Sequence, residues 1–492
     1  MKVKKWSIIF LICFSFLFYA RSINFLNKSE FTEKVNKLIS QRVLENAIWG
    51  IAVYDLKEKE LIYSKNYYKS FMPASNMKIF TSAVALEKLG PDFCFHTDFY
   101  IDGKIENGIL KGNLIVRGTG DPTISFRYAP NENVMKLMDG IVKSFLKKSK
   151  IKKIEGLVIG DDNFFSEKRI SGTWENSDLP YWYAAETDGL NFNENVVRMY
   201  LKGVHKRKPI LKVDPDIGYL SFVNKITCLK EKNSFWDYTR DLNNVVVLFG
   251  NIKPGENKKD RVSVHNPTKF FLKALEVSLK NNGVDISRTR FFDIDELPKT
   301  LQKIHYESLP LVYFYKSPPL SDIMIILNKK SHNLYADILL KTLGKIYEGE
   351  GSFKKGFKVV RQTLLEWGAY PLGFYMEDGS GLSRRDFITP ETMIVVLKHM
   401  YESDNRDVFI KTLPISGVDG TLKRRFKNRI SNKRIFAKTG YINKVRSLSG
   451  YAKAYNGKIY AFCIICNNYF TSTKFINNII DTICDYIVLL KK

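Results

Sequence analysis

Pro73-Ala-Ser-Asn-Met-Lys-Ile-Phe-Thr-Ser-Ala-Val-Ala-Leu-Glu-Lys-Leu-Gly-Pro91 is the stretch around which the rest of the chain is ordered. Its small and apolar residues recur at helical spacing, Pro73 suits a helix entry, and Gly90-Pro91 stops one, so the spacing predicts a single helix buried on much of its surface. Ser75 and Lys78 fall in its first turn, three residues apart and on one face. A lysine amine there is placed to take the proton of the serine hydroxyl, at a helix end that favours developing negative charge. The pattern is not unique: Ser-x-x-Lys recurs at Ser144, Ser149 and Ser352. Other parts of the chain must single out Ser75.

Upstream, Phe31 to Leu44 reads as a helix, and Ile48 to Asp55 with Leu61 to Tyr63 as a hairpin around a charged turn. Downstream, from about Phe93, short strands and turns take over, among them 109–122, a strand running into a Gly-rich turn, then 156–161, 244–249 and 261–265. Gly118-x-Gly120 follows a strand but lacks the third glycine of a nucleotide loop, and Asp121-Pro122 would repel phosphate and break the helix that loop needs. The pattern at 131–152 is a basic amphipathic helix, read as core-facing in preference to lying on a membrane surface, and 267–281 is a helix ended by Gly283. Beyond about Ser308 long helical patterns return at 321–330, 333–347 and 353–368, and Thr389-Pro390-Glu391 opens another with an N-cap threonine. The chain ends in strands 434–439, 445–452 and 458–466, the last two joined at Asn456-Gly457, and a closing helix from Ser472 to Leu490. Helix-rich, sheet-forming segments at both ends thus bracket a strand-rich middle, the pattern of one domain inserted into another.

With 492 residues, 45% hydrophobic, the chain has material for two or three packed domains. Formal net charge is +26, from 77 Lys and Arg against 51 Asp and Glu. That surplus suits a membrane or an anionic cell-wall surface, but no basic run carries the interleaved aromatics of a nucleic-acid groove, so nucleic acid is not an expected partner. Lys2, Lys4 and Lys5 precede an apolar run, Trp6 to Ala20, with the form of a signal peptide (1–20), which predicts export. Phe18 before Ala20 makes a poor cleavage site, leaving an uncleaved membrane tether as the alternative. The cysteines beyond it (94, 228, 463, 466 and 484) have no framework spacing. Cys463 and Cys466 lie in a core-strand pattern where alternation sends them to opposite faces, so no metal or redox pair is expected.

Two further short patterns fall in order after Ser75: Ser331-His-Asn333, just before an amphipathic helix, and Lys438-Thr-Gly440, at a strand end. Alone, Ser331 reads equally well as a helix N-cap and Lys438-Thr-Gly as a strand end and turn. The ordered set is that of the penicilloyl-serine acyltransferase fold. Together with Asp378-Gly-Ser-Gly-Leu-Ser-Arg384, Leu413-Pro-Ile-Ser-Gly-Val-Asp-Gly-Thr421, Leu448-Ser-Gly-Tyr451 and Gly118-Thr-Gly-Asp-Pro122, the chain resembles the class C low-molecular-mass penicillin-binding proteins, the D-alanyl-D-alanine carboxypeptidase/endopeptidase family. The resemblance covers nearly all of the chain after residue 20.

The resemblance implies a multi-domain α/β (α+β) fold: a transpeptidase-like domain of antiparallel sheet flanked by helices (24–92 and 308–492), with a large, mostly β insertion (93–307) of two subdomains. It implies a serine DD-peptidase working on peptidoglycan stem peptides through an acyl-serine, blocked covalently by β-lactams, without cofactor or metal. By motif position, Ser75 is the nucleophile, Lys78 the base with its pKa lowered by burial beside Lys438, and Ser331 a proton relay. Asn333 would hold the acyl-side amide, Lys438 stabilise the site electrostatically, and Thr439, with Gly440, bind the terminal carboxylate. The backbone N–H groups of Ser75 and Tyr441 form the implied oxyanion hole. Asp378 to Arg384 and Asp419-Gly-Thr421 are expected to be scaffold. The sequence departs from the family's pattern at His332, Asp386 and Tyr441. A non-catalytic penicillin-binding sensor or wall scaffold, and a β-lactamase or esterase of the same fold, are the alternatives; oligomeric state and the choice between carboxypeptidase and endopeptidase stay open.

Overall fold

Both ends of the chain meet in one antiparallel five-stranded sheet, ordered Ile435–Ile442, Val445–Lys453, Ile459–Asn467, Ile48–Asp55, Glu60–Lys65. The computed structural model describes residues 24–491 apart from 167, 206, 231 and 232; the stretch read as an export signal lies outside them. The first strand pairs with the last, Ile51 opposite Ile464 and Val53 opposite Phe462, so neither end can complete the sheet alone. Side chains alternate between its faces. Phe462, Ile464 and Cys466 meet the helices Lys28–Ile39 and Thr473–Val488 on one side. Cys463 and Ile465 meet the Ser75 helix and its neighbours on the other. Cys463 and Cys466 are therefore separated by the sheet itself, and both are free thiols.

The Ser75 helix spans Met77–Leu89, and every residue from Met77 to Leu86 is buried. A helix apolar nearly all round belongs inside a domain, and this one runs through a helical layer made by Leu320–Lys329, Asn333–Glu348, Phe353–Glu366 and Pro390–Glu402. Ser75 precedes the α-helix proper, in a 3₁₀ turn, Ala74–Asn76. Ala74 enters at φ +48°, a conformation that strains a residue with a Cβ. Gly381 lies against it: a Cβ there would sit 1.9 Å from the Ala74 carbonyl oxygen.

The middle of the chain builds a six-stranded sheet whose path runs Arg290–Asp293, Leu157–Asp161, Ile109–Gly118, His96–Glu106, Leu311–Lys316, with Lys153–Ile154 beside Ile109–Gly118. Helices Val134–Ser149 and Pro267–Asn281 cover it, burying Phe145, Phe270 and Phe271 against Phe99 and Val116. Two smaller sheets share that core through Val197, Met199, Val246 and Leu248. After Gly118 no helix follows; Asp121 accepts hydrogen bonds from the Thr123 N–H and hydroxyl, 2.7 Å each, and closes a turn.

Candidate active site

Segments from both ends of the described chain, and one from its middle around Tyr183, converge on Ser75. The 3₁₀ turn is fastened to the strand Ile435–Ile442: the Asn76 side chain donates to the Lys438 carbonyl at 2.8 Å, and the Ser447 hydroxyl to the Pro73 carbonyl at 2.6 Å. Gly440 makes that approach possible. A Cβ on it would meet Ser447 Oγ at 2.0 Å and the Pro73 oxygen at 2.6 Å, so the peptide leading to Tyr441 lies beside the Ser75 turn.

The expected side chains come together. Lys78 Nζ is 3.0 Å from Ser75 Oγ and 2.6 Å from Asn333 Oδ1; Lys438 Nζ donates to Ser331 Oγ at 2.7 Å and to the Thr439 carbonyl at 2.8 Å. Ser331 is not the N-cap of its helix. His332 takes that position without a side-chain cap, while Ser331 sits at φ +56°. Such a conformation costs a non-glycine residue about 1–3 kcal/mol and persists only where its surroundings impose it. Thr439 lies further out and donates to Thr421 Oγ1 at 2.8 Å. Tyr441 is 65% exposed, its ring lying under the Arg446 guanidinium at 3.5 Å.

Both lysines are fully buried. Burial lowers the Lys78 amine to about 8, against the opposing pull of Asp337, Asp378 and Asp386. Burial is thus the cause of the lowering, and Lys438, expected to add to it, is not. Lys438 is the amine that feels its like-charged neighbour: burial first, and then Lys78, push it well below its ordinary value. Among the described residues no carboxylate pairs with Lys438, and two charged ammonium groups in so dry a site are unfavourable.

Several contacts here had no side-chain signature in the sequence. Lys78 Nζ also donates to the Ser380 carbonyl at 2.6 Å, so the Asp378–Arg384 loop touches the site and is more than scaffold. Asp378 shapes that loop, accepting from the N–H groups of Ser380, Gly381 and Ser383 at 2.9, 2.6 and 2.8 Å and from Trp174 Nε1 at 2.7 Å. From the middle of the chain, the Tyr183 carbonyl accepts from Asn333 Nδ2 at 2.7 Å. Ser75, Ser331, Asn333, Thr439 and Tyr441 open on a cavity of about 510 Å³, whose far wall includes Asp178 and Trp182. Thr421 lines it too. Only the spacing of Asp378 to the glycines and serines after it could have flagged that loop; backbone carbonyls leave no mark in a sequence.

The chain is 26% identical over 459 residues to the D-alanyl-D-alanine carboxypeptidase of Actinomadura sp., covering 90% of this chain and 81% of that protein. It is 29% identical over 482 residues to the penicillin-sensitive carboxypeptidase A of Dictyostelium discoideum, covering 90% and 87%. Among solved structures, penicillin binding protein 4 (dacB) from Haemophilus influenzae matches with a TM-score of 0.79 at 26% identity, over 92% of this chain and 99% of that one. The same protein complexed with a β-lactam matches at a TM-score of 0.76 and 25% identity, over 93% and 100%. Residues 31–487 match the model of the D-Ala-D-Ala carboxypeptidase 3 (S13) family, and the chain belongs to that family.

Proposed function

We propose that this protein is a serine-type D-Ala-D-Ala carboxypeptidase that works on peptidoglycan stem peptides through an acyl-Ser75 intermediate and is acylated by β-lactams. The observation that carries the reading is a fully buried amine, Lys78, held 3.0 Å from a partly exposed serine hydroxyl at the floor of a cleft. With a pKa of about 8, roughly one Lys78 in ten is neutral at pH 7. Neutral, it accepts the Ser75 proton as Oγ attacks the carbonyl of the penultimate D-alanine. The Ser75 and Tyr441 N–H groups face the charge on the tetrahedral oxygen, each worth about 3 kcal/mol to the transition state. As the peptide C–N bond breaks, Ser331, polarised by Lys438, relays a proton to the departing D-alanine amine and takes up the one that Lys78 received from Ser75. Asn333 holds the acyl-side amide, and Thr439, with Gly440, receives the terminal carboxylate. Water then attacks the ester, and Ser75 recovers its proton.

The intact chain of contacts from Ser75 through Lys78 and Asn333, and from Ser331 to Lys438, speaks against a non-catalytic sensor. The same reading divides the chain into 24–92 with 308–492 around 93–307; separate hydrophobic cores support it, with Leu311–Lys316 sheet-paired to the inserted side. Export to the periplasm or cell envelope belongs to this proposal as well, supported by the basic, apolar stretch 1–20 and by a substrate that lies outside the cytoplasm. Among the described residues no helix is long and apolar enough to cross a membrane.

The test is labelling with a fluorescent penicillin, wild type against Ser75→Ala, followed by D-Ala-D-Ala peptides and crosslinked muropeptides. Wild type should label and release D-alanine; Ser75→Ala should do neither. Labelling that persists in Ser75→Ala overturns the assignment, and release of the label within minutes assigns a β-lactamase instead. Cleavage of crosslinked muropeptides adds endopeptidase action.

A further inference from the structure

The Ser331-His332-Asn333 segment is gripped from the inserted part of the chain by one carboxylate. Glu194 is fully buried, and its two oxygens are divided. One takes the Arg127 Nε–H at 2.5 Å and the Tyr335 hydroxyl at 3.0 Å. The other takes His332 Nε2–H at 2.9 Å, with Arg261 at 3.5 Å. His332 and Tyr335 flank Asn333, so Glu194 holds the segment on both sides of it. Trp182, which lines the cleft, lies against the His332 ring at 5.6 Å and under the Arg261 guanidinium at 4.0 Å.

The backbone at Glu194 makes the choice of residue informative. Asn193, Glu194 and Asn195 stand at φ +53°, +59° and +56°, three consecutive residues in a region that asparagine tolerates and glutamate does not. The asparagines serve the turn: Asn193 bonds the Phe126 N–H and the Val196 carbonyl, and Asn195 the Glu186 carbonyl. Glu194 makes no such backbone bond. Its side chain joins Arg127 and Arg261 to His332 and Tyr335.

We infer that Glu194 is a positioning residue, which acts through His332 to hold Ser331 in its left-handed conformation with Oγ on Lys438. The inserted part is then a working component of the acylation machinery. His332 is oriented as the Nε2–H tautomer, because its partner is a carboxylate. Burial lowers its pKa, with Glu194 opposing and Arg127 and Arg261 adding to the lowering. For Glu194 burial acts upward, but His332 and then Arg127 hold it low, at about 2.

The inference rests on the acyl-Ser75 reading, and the test separates the two. The quantity measured is the second-order rate constant for acylation of the full chain by a fluorescent penicillin, with melting temperatures alongside. Glu194→Gln and His332→Leu should each slow acylation roughly 10- to 100-fold, the cost of a small displacement of a reacting group. The double variant should be no slower than the worse single, because one pathway is broken twice. His332→Gln, which restores an N–H donor, should be severalfold faster than His332→Leu. Losses that multiply in the double variant would mean that Glu194 and His332 act separately, and a merely structural role predicts equal rates for His332→Gln and His332→Leu; either result, or Glu194→Gln within about twofold of wild type, overturns the inference. If Glu194→Gln gives no cooperative melt, equal rates for His332→Gln and His332→Leu overturn it alone. Wild type that does not label at all removes the acyl-serine reading, and this inference with it.

Discussion

Lys78 and Lys438 are buried equally but surrounded unequally, and that asymmetry assigns their protons. Asp337, Asp378 and Asp386 lie under Lys78 and keep its amine near 8, whereas burial drives Lys438 lower without opposition from any carboxylate. Acylation should therefore rise with pH as Lys78 loses its proton, with a midpoint near 8 in the pH profile of labelling by penicillin. Lys78→Arg, which cannot become neutral, should lose acylation by about 100-fold or more. The carboxylates are not alike either. Burial, and then Asp378, push Asp386 well above the carboxylate range. A raised acid binds its proton more tightly folded than unfolded, so its stabilising effect holds at low pH and is lost as pH climbs above the unfolded value. Asp386→Asn keeps the shape without the titration. Chemical denaturation at pH 5 and pH 9 should show the variant losing less stability than wild type between the two.

At the scale of elements, the site depends on how closely the strand Ile435–Ile442 approaches the 3₁₀ turn. Gly440→Ala would drive a methyl into Ser447 Oγ and the Pro73 carbonyl, moving the Tyr441 N–H away from Ser75. Acylation should fall at least about tenfold. Gly457, at φ +86° in the hairpin turn with open space around it, gives the contrast: Gly457→Ala should cost about 1 kcal/mol of stability and leave acylation unchanged. Ser75, Lys78, Ser331, Asn333 and Lys438 were legible in the sequence because side-chain chemistry at fixed spacing is written there. The Pro267–Asn281 helix was legible to the residue, since an N-terminal proline and a following glycine punctuate it. The strand Val196–Lys202 was not seen, although Val197, Met199 and Leu201 alternate with Arg198, Tyr200 and Lys202 and Gly203 follows it: seven residues in a turn-rich stretch give a weak signal. Neither was the grip on Asn333 and Lys78 by the Tyr183 and Ser380 carbonyls, because a carbonyl has the same sequence whatever it binds.

For the whole molecule, the closing helix is as necessary to the site as the motifs, although it lies on the far side of the sheet. Ile476, Ile479, Ile480, Ile483, Ile487 and Val488 are buried there against Ile51, Phe462 and Ile464, the face of the sheet opposite the Ser75 helix. At about 1.5–3 kcal/mol for each buried aliphatic side chain, they contribute roughly 10 kcal/mol or more, which is comparable to the entire net stability of a domain. The helix also anchors the segment after Thr421: Arg425 pairs with Asp481, and Arg429 with Asp485 at 2.6 Å, while Leu422 and Phe426 share its apolar core. A chain ending at Ser472 retains Ser75, Lys78, Ser331, Asn333, Lys438, Thr439 and Gly440. It should nevertheless fail to fold and fail to label with penicillin, with no cooperative melt by circular dichroism. A truncated chain that labelled at the wild-type rate would mean that the five-stranded sheet holds without its second covering layer, and that the pairing of the chain's two ends is enough to position Ser75.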